Sequence, residues 1–184
     1  LTSRMIDRPM RPLFPADLRN DVSIVTTVLS VEQDNAPEIC ALIGASIAVS
    51  ISDVPWNGPV AGVWLGLVDG EFVINPTVEQ QKKSQMHVTV AGTKQKIVMI
   101  EAGANEVEES VMLDGLKFAH GVIKDLCDFI SSIQAEIGKP KMEYEAHDID
   151  HDLYDKIKET EYENIQHALD TDDKNVRDER IGVI

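Results

Sequence analysis

The sequence lacks the features that mark secreted proteins, membrane proteins and proteins that bind nucleic acid over a broad surface. Its 184 residues carry a net charge of −15, and a chain this acidic does not adhere to nucleic acid over its whole surface. No apolar run reaches the about 18 residues of a membrane-spanning helix, and the first residues lack a signal-segment pattern. Composition therefore predicts an ordinary soluble, cytoplasmic protein. The leucine at position 1 is expected of a processed chain or of a piece of a longer one.

Motifs for the common catalytic and metal sites are also missing. The chain has neither a glycine-rich phosphate loop nor a Gly-x-Ser-x-Gly element. Cys40 and Cys127 are its two cysteines, and neither has a neighbour at zinc-site spacing. We interpret both as reduced core residues, with a single disulfide as the alternative. His87 and His120 stand alone and are interpreted as strand or helix-face residues. The residues by themselves predict no complete active site.

Arginine is scarce, and three of the six arginines lie close together near the start of the chain. Arg4, Arg8 and Arg11 recur at i, i+4 and i+7, so a helix would place them on one face. Guanidinium groups bind phosphate or carboxylate through paired hydrogen bonds, which makes this face a candidate anion site. The alternative is that the arginines form structural ion pairs, either with Asp7 or across a subunit interface. Two nearby prolines limit the length of the helix.

The remaining patterns predict alternating strands and helices. A run of β-branched residues over 21–31 predicts a buried strand, and Asp69-Gly70 predicts a hairpin. Apolar residues at steps of three and four over 108–137 predict an amphipathic helix, with Gly115 inside it to allow close packing. The predicted strands are 21–31, 60–68, 71–74, 86–90 and 96–100, and the predicted helices are 37–52, 77–83, 108–137 and 152–168. Helices that cover a sheet indicate an α+β fold.

The C-terminal part of the chain is acidic and carries few large apolar residues. Asp148, Asp150, Asp152 and Glu159 fall on ligand positions of a calcium loop, but Leu153 stands where the sharp turn requires glycine. We therefore interpret this segment as solvated acidic chain. It is too short to bury a core of its own, so we expect more chain or a partner to complete it.

Five stretches, in order and at close spacing, resemble a known family. They are SRMIDRPMRPLFP (3–15), NDVSIVTTVLSV (20–31), ALIGASIAVSISDVPWNGPVAGVWLGLVDGEFVINPT (41–77), VAGT (90–93) and MIEAGANEV (99–107). Together they resemble bacterial polynucleotide phosphorylase over most of residues 1–138. The resemblance implies a ribonuclease-PH-like α+β fold with a long C-terminal helix. Residues 1–138 would be part of the first core domain, and 139–184 the start of an all-helical linker domain.

The family resemblance also implies an activity. Such enzymes degrade single-stranded RNA from its 3′ end with inorganic phosphate, reversibly release nucleoside diphosphates, and work as homotrimers with Mg²⁺. An RNA-degradation complex is a further expected partner, whereas no membrane is expected. The resemblance places the catalytic groups and Mg²⁺ in a second core domain outside these residues.

In this family the first core domain resembles a duplicate of the second, which is the catalytic copy. The resemblance allows the two copies to be compared, and the copy in this sequence differs from the catalytic one. Where the active copy has a serine-rich loop, residues 33–38 contain no serine. Where it has aspartates and a lysine before Val-Ala-Gly-Thr, this sequence has Met86, His87 and Thr89, which cannot form a carboxylate metal site. The resemblance thus implies that these residues alone have no catalytic activity.

The arginine stretch does match the family. The resemblance assigns contacts with the RNA backbone to Arg4, Arg8 and Arg11, and such contacts position RNA without reading its sequence. The alternative is a purely structural domain whose arginines pair with carboxylates at subunit interfaces.

Overall fold

The structure, a computed structural model, describes residues 2–32, 34–35, 37–146 and 149–184. The chain divides into two compact units, residues 1–145 and 146–184. The first contains a sheet and its covering helices, and the second consists of two helices within the described residues. The first unit has the α+β architecture that the sequence predicts. The family-based boundary at 138/139 remains a prediction.

Four antiparallel strands form the sheet of the first unit. They are β1 (Ala61–Val68), β2 (Glu71–Ile74), β3 (Met86–Gly92) and β4 (Ile97–Ala104), in the spatial order β2-β1-β3-β4. The predicted hairpin between β1 and β2 is confirmed. Asp69 and Gly70 both have positive φ angles, 52° and 84°, as a two-residue hairpin turn requires. The β3–β4 pair is also confirmed and runs farther along both strands than predicted.

Four α-helices belong to this unit. They are α1 (Thr2–Met10), α2 (Pro37–Ile51), α3 (Val78–Lys83) and α4 (Glu109–Ile137), and a short 3-10 helix, Arg11–Leu13, continues α1. α2, α3 and α4 confirm the predicted helices. Thr77 caps α3, accepting a hydrogen bond from the Gln80 amide while the Gln80 side chain accepts from the Thr77 amide.

The core lies between α4 and the sheet. Side chains of β1 and β3 that point to one face are fully buried with Ala119, Ile123 and Ile130 of α4. Gly115 of α4 lies over the sheet, and a Cβ built there would approach Leu65 and Phe72 to 3.0 Å. Close packing therefore explains the glycine inside this helix, as predicted. A second buried cluster joins α1, α2 and the end of the sheet through Met10, Leu42, Val49, Val60, Ala91 and Met99.

The predicted buried strand over 21–31 is wrong. These residues form no regular strand, and Val25 and Leu29 are 84% and 93% exposed. Within this stretch only Ile24 packs against the second cluster. β-branched residues favour a strand only when the backbone has a pairing partner, and among the described residues neither edge of the sheet, β2 or β4, pairs with this segment.

A short segment after α4 returns to the end of α2. The Lys141 ammonium donates to the carbonyl oxygens of Val49, Ser50 and Ser52 at 3.0, 3.0 and 2.7 Å. Burial lowers the pKa of Lys141, while the charge of Asp53 opposes this shift. Since the last carbonyls of a helix lack partners within it, the Lys141 side chain caps the C-terminal end of α2.

Farther along the same segment, the Tyr144 hydroxyl donates to the Asp17 carboxylate at 2.8 Å. The hydrogen bond raises the pKa of Tyr144, with burial and the negative charge of Asp17 adding to it. The bond ties the segment to the loop that follows the 3-10 helix.

The second unit consists of α5 (His151–Leu169) and α6 (Lys174–Ile181). α5 confirms a predicted helix, whereas the sequence did not predict α6. Asp150 caps α5 by accepting a hydrogen bond from the Leu153 amide, so this residue of the acidic segment serves as a helix cap. Asp148, another acidic residue of that segment, lies outside the described residues. The described helices include none that is long and apolar enough to cross a membrane.

The two cysteines differ in their surroundings. Cys127 is buried, which confirms its assignment to the core, and both thiols are free. Burial raises the pKa of the Cys127 thiol to about 11. The core assignment of Cys40 is wrong, because its side chain is exposed. It borders a cavity of about 490 Å³ that residues 24–30 also line, and an irregular segment there leaves the thiol accessible.

This difference predicts selective thiol reactivity. Because only the Cys40 thiol is exposed, a disulfide reagent at about pH 8 is expected to react with one thiol per folded chain and with two after unfolding. Cys40→Ser should abolish the fast reaction, and Cys127→Ser should leave it unchanged. Reaction of two thiols in the folded chain would contradict the burial of Cys127.

The three hydrogen bonds of Lys141 predict a loss of stability when its charge is removed. Lys141→Met should lower the free energy of unfolding by about 1–3 kcal/mol, because three partly buried carbonyls lose a charged donor. Urea unfolding measures the change. Lys139→Met is the matched control, since the Lys139 side chain is exposed. An equal loss in both variants would show that Lys141 has no special role.

Candidate functional site

The arginines project from a helix whose other face is buried. In α1, Met5 and Met10 are 3% and 1% exposed, and Met10 belongs to the second core cluster. Arg4, Arg8 and Arg11 are all exposed. Burial of the methionines therefore fixes which side of α1 faces the core. Arg4 and Arg8 lie on its exposed surface, and Arg11 is exposed in the 3-10 helix that follows.

Arg11 already has a partner within the chain. Its Nε donates to Asp7 Oδ1 at 2.9 Å and its Nη2 to Asp7 Oδ2. This hydrogen bond, together with the charge of Asp7, raises the pKa of Arg11. The alternative of a structural ion pair is thus realised at Arg11, one helical turn from Asp7. The Arg11 side chain is nevertheless 75% exposed, and an exposed pair of this kind contributes little to stability.

Arg4 and Arg8 differ from Arg11 in their charged partners. Among the described residues neither makes an ion pair. Arg8 lies in the last turn of α1, where a positive charge is favourable next to the helix dipole. Two guanidinium groups therefore remain available to an anion, and a third is available if the anion displaces Asp7.

A cavity adjoins this surface. It has a volume of about 700 Å³ and lies between α1 and the segment that follows the 3-10 helix. Asp7 and Arg11 line it together with the apolar side chains of Ile6, Met10 and Phe14. A ligand in the cavity would meet a charged pair and an apolar wall.

The positions compared with the family's metal site cannot hold a divalent cation. Met86 is buried in the core, the His87 ring contacts the edge of Trp64 at 4.9 Å between ring centroids, and Thr89 is buried. None offers a carboxylate, and no group of three potential ligand residues occurs in the described part of the chain. Residues 33 and 36 of the serine-free stretch lie outside the described residues.

Trp56 is a residue of this site that the sequence patterns did not single out. Its indole Nε1 donates to the Met10 carbonyl oxygen at 3.1 Å, at the end of the arginine helix. The only signal in the sequence is the position of a rare tryptophan within a Pro/Gly turn. A bond across 46 positions cannot be read from local patterns.

The chain matches known proteins over nearly its whole length. Residues 1–55 match domain 1 of the 3′ exoribonuclease family and residues 58–122 match its domain 2. A polyribonucleotide nucleotidyltransferase from Ruminiclostridium cellulolyticum is 59% identical over 99% of this chain, and one from Clostridioides difficile is 52% identical over 98%. The chain spans about a quarter of these relatives, 26% of each.

A solved structure shares the fold. The crystal structure of rice (Oryza sativa) Rrp46 superposes with a TM-score of 0.50 at 12% identity, covering 57% of this chain and 51% of that one. At this identity the likeness concerns the fold alone. The predicted resemblance to polynucleotide phosphorylase is confirmed, and the chain belongs to the 3′ exoribonuclease family.

Proposed function

We propose that this chain is the non-catalytic, RNA-guiding part of a phosphate-dependent 3′-to-5′ exoribonuclease. The parent enzyme would use inorganic phosphate to cleave the terminal linkage of single-stranded RNA, releasing nucleoside diphosphates in a reversible reaction. The observation that carries the proposal is the exposed arginine surface of α1 in an acidic chain, where Arg4 and Arg8 make no ion pair among the described residues. The names of the relatives support the activity of the parent.

Guanidinium groups suit this task because they bind phosphate oxygens with paired hydrogen bonds and stay charged at any physiological pH. Arg4, Arg8 and Arg11 would hold successive backbone phosphates and direct the strand toward a catalytic domain elsewhere in the parent. Contacts of this type fix the path of the RNA without selecting its sequence. The remaining acidic surface would keep the RNA from binding elsewhere.

The catalytic step belongs to another part of the parent in this proposal. The side chains at Met86, His87 and Thr89 do not fit Mg²⁺, so no step of the reaction runs through these positions. The parent would bind Mg²⁺ in its second core domain, assemble as a homotrimer in the cytoplasm, and join an RNA-degradation complex. The first unit would contribute to the trimer scaffold.

A purely structural role is the second candidate, and the pair between Arg11 and Asp7 favours it. Here the arginines would pair with carboxylates, within the chain or between subunits, and would not contact RNA. The two candidates differ in what they predict for Arg4 and Arg8, which have no carboxylate partner among the described residues.

Removal of Arg4 and Arg8, which make no ion pair within the described part of the chain, tests the proposal. In the full-length protein, Arg4→Ala with Arg8→Ala should weaken binding of single-stranded RNA and make its salt dependence less steep. The slope should fall by about 0.7 for each phosphate that the variant no longer binds, the value for single strands. Titration of labelled RNA at several salt concentrations measures both the affinity and the slope.

Arg177→Ala is the control for the removal of a positive charge, because Arg177 lies in α6 of the second unit. Unchanged RNA binding by the double variant, or dissociation of the assembly measured by sedimentation, would favour the structural role.

Asp7→Asn separates the two candidates at Arg11. The substitution removes the carboxylate that competes with phosphate, so RNA should bind about two- to tenfold more tightly if the free Arg11 fork takes a phosphate. A purely structural pair predicts unchanged binding and a small loss of stability. Asp17→Asn provides a control, since Asp17 accepts a hydrogen bond from Tyr144 and makes no ion pair among the described residues.

A further inference from the structure

Two prolines remove backbone donors from the C-terminal end of the arginine helix. Pro9 and Pro12 have no N–H, so the carbonyl groups of Met5 and Arg8 cannot accept the usual bond from the residue four positions on. The Phe14 amide donates to the Arg11 carbonyl oxygen at 3.2 Å, which is a 3-10 bond. The Met10 carbonyl therefore does not receive the α-helical bond from Phe14.

A turn much later in the chain supplies donors to this end. Trp56 Nε1 donates to the Met10 carbonyl oxygen at 3.1 Å, and the Asn57 amide donates to the Leu13 carbonyl oxygen at 2.8 Å. The Trp56 ring also packs on Phe14, with 6.1 Å between ring centroids and an angle of 37° between their planes. Two hydrogen bonds and a ring contact thus hold the region that carries Arg8 and Arg11.

Gly58 makes room for this arrangement. A Cβ at position 58 would collide with Cζ3 of the Trp56 ring, which no side chain tolerates without moving the ring. The ring position, and with it the bond to Met10, therefore depends on glycine at this place.

We propose that Trp56 is a positioning residue for RNA binding, because its indole N–H fixes the end of α1 and so the directions of Arg8 and Arg11. This inference rests on the proposed function. Without the indole donor the Met10 carbonyl loses its bond to the later turn, and the turn between α1 and the 3-10 helix can change its angle. Paired hydrogen bonds to phosphate depend on direction, so a change of angle weakens RNA binding without removing any charge.

The second tryptophan provides a matched control. Trp64 lies in β1, its ring contacts His87, and its Nε1 has no hydrogen-bond partner among the described residues. Both Trp56→Phe and Trp64→Phe replace an indole by a smaller single ring, but only Trp56→Phe also removes a hydrogen-bond donor, that to Met10. The comparison therefore separates the loss of the hydrogen bond from the loss of ring volume.

The test uses the full-length protein and phosphorolysis of single-stranded RNA. Trp56→Phe should raise KM for RNA at least threefold, leave kcat unchanged and make the salt dependence of RNA binding less steep. Trp64→Phe should change none of these. Gly58→Ala, which displaces the Trp56 ring without removing it, should act in the same direction as Trp56→Phe. Circular dichroism and urea unfolding check that each variant folds.

A background without the three arginines distinguishes a positioning role from a structural one. When Arg4, Arg8 and Arg11 are all alanine, Trp56→Phe should no longer affect KM. A lower stability with unchanged KM in the intact background, or an equal effect on KM in both backgrounds, would overturn the inference. If the arginine substitutions weaken RNA binding and Trp56→Phe does not, only the role of Trp56 fails. If the arginine substitutions have no effect, the proposed function fails with it.

Discussion

The arginine surface depends on a shortage of backbone donors at the end of one helix. Pro9 and Pro12 remove two N–H groups from α1 and its 3-10 extension, so the carbonyls of Met5 and Arg8 lose their α-helical donors. Trp56 and Asn57 donate to two other carbonyls at this end, those of Met10 and Leu13, while Met10 anchors the buried side. The direction in which the exposed guanidinium groups point is therefore set by tertiary contacts as well as by helical spacing.

Charge is distributed to match this arrangement. Under the proposed function, the net charge of −15 would repel an RNA strand from most of the surface, and RNA would be attracted only where arginines outnumber acids. Asp7 would moderate that attraction at Arg11, because a phosphate would have to displace the carboxylate from the guanidinium fork. At Arg4 and Arg8 no carboxylate among the described residues would compete with the phosphate.

Local sequence patterns predicted the structure correctly where the residues of the pattern themselves cause the structure to form. The hairpin at Asp69-Gly70 requires two positive φ angles, which these residues adopt readily, and the apolar spacing of α4 by itself specifies which face is buried. The irregular segment 21–31 could not be predicted, because its β-branched residues favour a strand only beside a pairing partner. The exposure of Cys40 follows from the same segment. Its apolar neighbours indicate a core position, but no strand covers it.

The sequence by itself determined helices α2 to α5, the two hairpins and the spacing of the three arginines, because each depends on residues a few positions apart. Its composition determined the acidic character. Its motifs were also sufficient to predict the family, which the similarity to known proteins confirmed. Only the tertiary structure decided that Arg11 pairs with Asp7 and that Trp56 holds the end of α1. It likewise decided that Lys141 closes α2. Competing local partners, or partners tens of positions apart, are chosen by packing of the whole unit, which no short pattern contains.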